Sequence, residues 1–121
     1  MLSEVRKANT AEEYLTPERC HITEVANDGG DEQVSIARAR VEPGVTTAWH
    51  RLAGIGERYL IVSGLGRVQL GELEAIEVGP GDVVRIPAGV AQRIANIGKL
   101  DLVFYAICSP PFSNECYEAL E

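Results

Sequence analysis

Two glycine-bounded stretches decide how this chain reads: PGVTTAWHRLAGIGERYLIVSG (Pro43–Gly64) and GDVVRIPAGVAQRIAN (Gly81–Asn96). Each holds apolar and β-branched runs of strand length that stop at Gly or Pro, residues that turn a chain rather than extend it. Side chains alternate across a strand, so parity assigns faces. On 46–52, His50 and Leu52 share a face with Thr46 and Ala48, opposite Trp49 and Arg51. On 57–63, Glu57 falls with Tyr59, Ile61 and Ser63, opposite Arg58, Leu60 and Val62. On 91–97, Gln92, Ile94 and Asn96 share a face, with Arg93 opposite. If those faces turn inward, His50, Glu57 and Gln92 enter an otherwise apolar interior at one depth. A carboxylate buried without a partner is costly and takes up a proton or a cation instead. A metal ion resolves that cost, and so does a polar network with His50. Ala48, Leu52, Ile61 and Ile94 complete a small, mostly apolar pocket.

The same punctuation continues on either side. Strand candidates are 33–41, 66–71, 75–78, 83–87 and 101–109, with turns at Asn27–Asp31, Pro43-Gly44 and Gly79-Pro80-Gly81. About eight short strands at close spacing, with no convincing helix of about ten residues or more, indicate an all-β sandwich or barrel. So many strands leave edges open to aggregation, which favours closure into a barrel or jelly roll. Residues 1–20 are polar and predict a short helix around Thr10–Tyr14 or a strand lead-in. The tail after Pro110-Pro111 predicts a short helical turn. The expectation is one domain over 1–121, its core barrel spanning about 33–109.

The chain has 121 residues, a hydrophobic fraction of 45% and a net charge of −7 from 18 acidic and 11 basic residues. That is enough apolar content for one buried core. The acidic balance argues against nucleic acid or an anionic membrane as partner, since both call for basic patches. No apolar run approaches the roughly 20 residues that span a bilayer. The first 20 residues lack the apolar segment of a signal peptide, so a cytoplasmic protein is expected. Cys20, Cys108 and Cys116 form no closely spaced zinc-type pair and read as buried or incidental thiols.

At this point the residues resemble the cupin family. Its first motif is Gly, five residues, His-x-His, three or four residues, Glu, six residues, Gly. Gly44, His50, Glu57 and Gly64 match, with Leu52 in place of the second His. The second motif is Gly, five residues, Pro-x-Gly, two residues, His, three residues, Asn. Gly81, Pro87, Gly89 and Asn96 match, with Gln92 in place of the His. The resemblance implies a double-stranded β-helix, a jelly-roll barrel that frequently dimerises. It also implies one divalent metal (Zn, Fe, Mn or Ni) held by His50, Glu57 and Gln92, with Leu52 contributing nothing. Some sugar-phosphate isomerases of this class use Gln as a ligand, whereas metal-free cupins work with His and Tyr.

Two functions therefore stand open. One is a metal-supported enzyme acting on a small polar substrate such as a sugar or oxoacid. The other is a metal-free binding or sensing module. Tyr59 and Tyr105 are candidate hydroxyls, each more often simply core. Arg38 and Arg40 share one strand face and would fork a carboxylate or phosphate if inward, although an outward face suits Arg better. His21, outside both motifs, reads as a surface or strand residue. Trp49 and Arg51, on the face away from the ligand set, are the expected homodimer contact.

Overall fold

The structure, a computed structural model, describes residues 1–8 and 12–121. Among the described residues, eleven strands make two antiparallel sheets. In chain order they are β1 (Glu13–Leu15), β2 (His21–Ala26), β3 (Ser35–Val41), β4 (His50–Leu52), β5 (Gly56–Ser63) and β6 (Gly66–Leu70). There follow β7 (Ile76–Val78), β8 (Val83–Ile86), β9 (Gln92–Asn96), β10 (Leu102–Ser109) and β11 (Tyr117–Ala119). One sheet runs β1-β2-β3-β10-β5-β8 and the other β11-β4-β9-β6-β7. From β3 onward the chain passes back and forth between the sheets, which is the winding of the double-stranded β-helix the motifs imply. No helix among the described residues is long and apolar enough to cross a membrane.

The alternation expected from the sequence is what builds the interior. Along β5, Glu57, Tyr59 and Ile61 are buried while Arg58, Leu60 and Val62 are exposed. Along β9, Gln92, Ile94 and Asn96 are buried. Between the sheets, Val41, Ile61, Ile94, Leu102 and Phe104 join one apolar cluster. Burying each such side chain stabilises the fold by roughly 1.5–3 kcal/mol. A smaller cluster, Leu52, Ile55 and Cys108 with Phe112 and Tyr117 against it, packs at the opposite end.

Motif glycines Gly44, Gly64, Gly81 and Gly89 all have positive φ. Gly64 is the most constrained. A Cβ there would lie 2.6 Å from the Asp101 carbonyl oxygen and 2.8 Å from Leu102 Cα, at a φ of +86°. Only Gly lets the β5–β6 turn press against the start of β10. Asn96, the last motif residue, donates to the carbonyls of Val41 (2.9 Å) and Leu100 (2.8 Å) and accepts from Gly98 N–H (2.9 Å). It is a fastener for the barrel end farthest from His50.

The flanks differ from expectation. Part of Thr10–Tyr14, where a short helix or a strand lead-in was expected, lies outside the described residues, and Glu13–Leu15 is a strand paired with His21–Thr23, the second of those alternatives. The tail does make one 3-10 turn at Asn114–Cys116, and then β11 pairs with β4 through Tyr117–Leu52 and Ala119–His50. The strand expected over 46–52 is shorter: only His50–Leu52 is regular, with Thr46 bridged singly to Ala95. Both termini thus add strands beside the site, and polar sequence concealed them because their outward faces are solvated.

Candidate functional site

Three strands bring the sequence-predicted trio together. His50 pairs directly with Gln92 across β4 and β9, and Glu57 is the second residue of β5. All three are buried, Gln92 to 1% exposure, His50 to 6% and Glu57 to 8%. Beside His50 and Glu57 lies a cavity of about 440 Å³ at the mouth of the barrel. Gln92 is not among the residues that line it.

Gln92 faces its neighbours instead. The Tyr59 hydroxyl donates to Gln92 Oε1. Burial, with Glu57 nearby, holds the Tyr59 phenol well above its usual range, so the hydroxyl keeps its proton and its role as donor. With its carbonyl engaged, Gln92 sits beside Glu57 and favours the ionised carboxylate. Tyr59, Gln92 and Glu57 therefore form a chain of orientation running from the core to the cavity floor.

Glu57 is raised above the ordinary carboxylate value of 4.5, first by desolvation and then by the charge of Glu18, against the opposing pull of Gln92 and His50. Its Oε1 is buried with no hydrogen-bond partner, while Cys108 Sγ lies 3.6 Å from Oε2. Burial and Glu57 together push the Cys108 thiol far up, so it stays a neutral, weak donor. His50 Nδ1 lies 2.7 Å from the Ala48 carbonyl oxygen. That contact requires the proton on Nδ1 and leaves Nε2 as the ring's acceptor. Tyr117 of β11 stacks on the His50 ring, centroids 4.9 Å apart at 20°.

The residue sequence reasoning missed is Glu18. Thr16–Cys20 forms a tight turn in which Thr16 N–H donates to the Cys20 carbonyl at 2.9 Å and Arg19 adopts a left-handed φ of +68°. Ala48 N–H donates to the Glu18 carbonyl (3.1 Å) and Arg19 Nε to the Thr46 carbonyl (2.9 Å), which stitches the turn to the strand edge next to His50. Glu18 Oε2 lies 3.6 Å from His50 Nδ1, buried and without a hydrogen bond. Desolvation raises the Glu18 carboxyl, while His50 and the Tyr117 hydroxyl draw it back. The Tyr117 phenol is pushed up to about 12 by burial and by Glu18. The available signal was Thr16-Pro17-Glu18-Arg19, a polar turn ending at a buried Cys20, but nothing in its spacing ties it to His50.

The other candidates face elsewhere. Arg40 binds Glu13 (2.6 Å) and Asp101 (3.3 Å), and Arg38 approaches Glu13 at 3.8 Å, all on the outer face of the six-stranded sheet. Tyr105 pairs with Arg38 and Leu60 on that same outer face. His21 sits in β2 with Nε2 3.2 Å from Glu42. Trp49 carries Arg93 over its ring at 5.0 Å, and Arg51 pairs with Glu118 at 2.6 Å, so both have partners within the chain. Cys20, Cys108 and Cys116 are free thiols. Burial and the charge of Glu18 push Cys20 up to about 12.

The donor set does not fit the metal cage of the family motif. Leu52 is apolar, Gln92 Oε1 is engaged by Tyr59, and no group of three or more His, Cys, Asp or Glu side chains converges among the described residues. What remains free is one imidazole nitrogen, Glu57 Oε1 and Glu18 Oε2. Glu18 Oε2 lies on the Nδ1 side of the ring rather than with Nε2, so they do not converge as the three protein ligands of a catalytic metal do.

The chain is 37% identical over 87 residues to the uncharacterized protein MJ1618 of Methanocaldococcus jannaschii, covering 72% of this chain and 69% of that one. Its fold is similar to Pac13 of Streptomyces, described as a nucleoside dehydratase, with a TM-score of 0.82 and 17% identity over 99% of this chain and 92% of that one. It is also similar to the capsular polysaccharide assembling protein CapF of Staphylococcus aureus, at a TM-score of 0.75 and 25% identity. That match covers 92% of this chain and 34% of CapF. The model of the cupin domain matches residues 37–108, and the chain belongs to the cupin family.

Proposed function

We propose that this cupin is an enzyme that moves protons on a small polar molecule bound in the barrel mouth, using its own side chains rather than a resident metal. The observation that carries this reading is the pairing of His50 with Glu57 beside one cavity. His50 has its Nδ1 proton fixed on Ala48, and Glu57 keeps an unpartnered buried oxygen. In the resting state His50 is a base through Nε2. Glu57, whose hold on a proton burial strengthens, is the acid.

His50 Nε2 takes a proton from a carbon or hydroxyl of the bound molecule and becomes imidazolium. Glu18 Oε2, 3.6 Å from Nδ1, stabilises that charge as a buried carboxylate does for a catalytic histidine. Glu57 gives its proton to a departing or newly enolised oxygen, and Gln92 stabilises the resulting carboxylate. The outcome is loss of water or a hydrogen shift. No electron acceptor is needed. The similarity of fold to a nucleoside dehydratase over nearly the whole chain supports chemistry of this kind.

The test is proton exchange. The protein is incubated in D₂O with a panel of free sugars, oxo-sugars, nucleosides and oxoacids, and the products are read by proton NMR and mass spectrometry. Deuterium incorporation or loss of water is expected, unaffected by chelator. His50→Gln and Glu57→Gln should each slow it by about 100-fold or more, the usual size of a lost acid or base. Thermal stabilisation by a panel member with neither exchange nor product would instead assign a binding module.

A further inference from the structure

Resting on that reading, the cavity also specifies the charge of what it accepts. We infer that the ligand is a donor-bearing molecule free of negative charge, an unphosphorylated, uncarboxylated polyol or an amine, and that phosphate esters and oxoacids are excluded.

Among the described residues, three carboxyl groups line the cavity, Glu18, Glu24 and Glu57, and no Lys or Arg does. Only two lysines occur in the chain, Lys7 and Lys99, and neither is near this mouth in sequence or lining. The arginine closest in sequence, Arg19, is turned away, donating to the Thr46 carbonyl and to Glu121 at 3.0 Å. Arg38 and Arg40, which would have forked a carboxylate, are spent on Glu13 on the outer face. An anionic group entering here would meet like charge in a partly desolvated space, with no bidentate partner to offset it.

The unfilled hydrogen-bonding capacity has the matching sign. Glu57 is more than nine-tenths buried, and its Oε1 has no partner; Glu18 Oε2 is likewise orphaned. The Glu18 carboxylate oxygen only accepts, and it is completed by a ligand that brings O–H or N–H groups. The apolar part of the lining, including Ile22, Leu52 and Phe112, suits the carbon face of such a molecule. The volume of about 440 Å³ lies within the range of small-molecule sites.

The experiment reads the cavity's charge preference without first knowing the ligand. Leu15→Cys sets a thiol at the mouth, where Leu15 is 62% exposed, and Leu100→Cys sets one at the opposite end of the barrel, 77% exposed. Each variant is modified with methanethiosulfonates of equal size, ethylammonium and ethylsulfonate, and labelling rates are assigned by peptide mapping. The cation-to-anion rate ratio at position 15 is expected to exceed that at position 100 by about tenfold, falling towards parity when Glu18→Gln and Glu24→Gln are added. The Leu100→Cys ratio corrects for the net charge of the whole protein. Equal ratios at the two positions, or faster anionic labelling at the mouth, would overturn the inference while leaving proton transfer by His50 and Glu57 standing. Failure of the exchange assay would leave the charge preference standing.

Discussion

The barrel buries polar side chains at both ends and treats them in opposite ways. At the Gly64 end, both amide hydrogens of Asn96 and its oxygen are engaged, and the Thr47 hydroxyl accepts from Ile94 N–H at 3.0 Å. At the mouth, Glu57 Oε1 and Glu18 Oε2 are buried with no partner. A satisfied buried group contributes to stability; an unsatisfied one costs stability and persists where it serves a ligand or a reaction. The contrast separates scaffold from site without reference to any motif.

The largest effects should come from the satisfied end. Gly64→Ala combines a left-handed φ with a backbone contact of 2.6 Å and should cost about 3–4 kcal/mol, seen as a lowered urea midpoint. Asn96→Ala strands the carbonyls of Val41 and Leu100 and the Gly98 N–H, and should cost about 3 kcal/mol. A cost below about 1 kcal/mol for Asn96→Ala would mean that solvent replaces the side chain, and the contrast between the ends would collapse.

What could be read from the sequence follows the same division. Spacing fixes backbone geometry, so Gly44, Gly64, Gly81, Gly89 and Asn96 announced the barrel, and alternation put His50, Glu57 and Gln92 indoors. Spacing carries no information on contacts between distant segments. Gln92 therefore read as a metal ligand, whereas its carbonyl meets Tyr59, a residue of β5 in the facing sheet. Glu18 and Tyr117 belong to polar flanks more than 20 residues from the nearer motif, and reach His50 only because β11 pairs with β4 and the Thr16–Cys20 turn docks on Ala48. Their role is a product of tertiary pairing, which no local pattern encodes.

At the unsatisfied end, removing charge should stabilise. Glu57→Gln is expected to raise stability by about 1–2 kcal/mol at pH 8 while abolishing exchange activity. The sign of the pH dependence follows from a carboxyl raised on folding. Above 4.5 the unfolded chain releases this proton while the folded chain retains it, until pH passes the raised value. Stability is therefore full below 4.5, falls through that window as pH rises, and is level beyond it. Glu18 contributes in the same direction. Glu13, Asp28 and Glu121 are lowered and act oppositely, so the measurement is the difference between wild type and Glu57→Gln across pH 4–8. The variant's advantage should shrink towards zero on acidification. An advantage independent of pH would show that Glu57 is not the titrating group.

The smallest effect separates the two readings of Gln92. Tyr59→Phe removes the hydroxyl that occupies Gln92 Oε1 and should cost only about 1 kcal/mol, because the ring still packs against Phe104 at 4.4 Å. Its consequence for metal binding is larger than its consequence for stability. In the wild type the engaged carbonyl leaves His50 and Glu57 as the free donors, and reconstitution with Zn, Mn, Fe or Ni should leave well under about one equivalent bound after desalting. Freeing Gln92 Oε1 adds a third donor at the same depth, so uptake should rise in Tyr59→Phe and fall again in Tyr59→Phe/Gln92→Leu. Stoichiometric metal already present in the wild type would show that Gln92 leaves Tyr59 for the ion, and the orientation chain from Tyr59 to Glu57 would have to be abandoned.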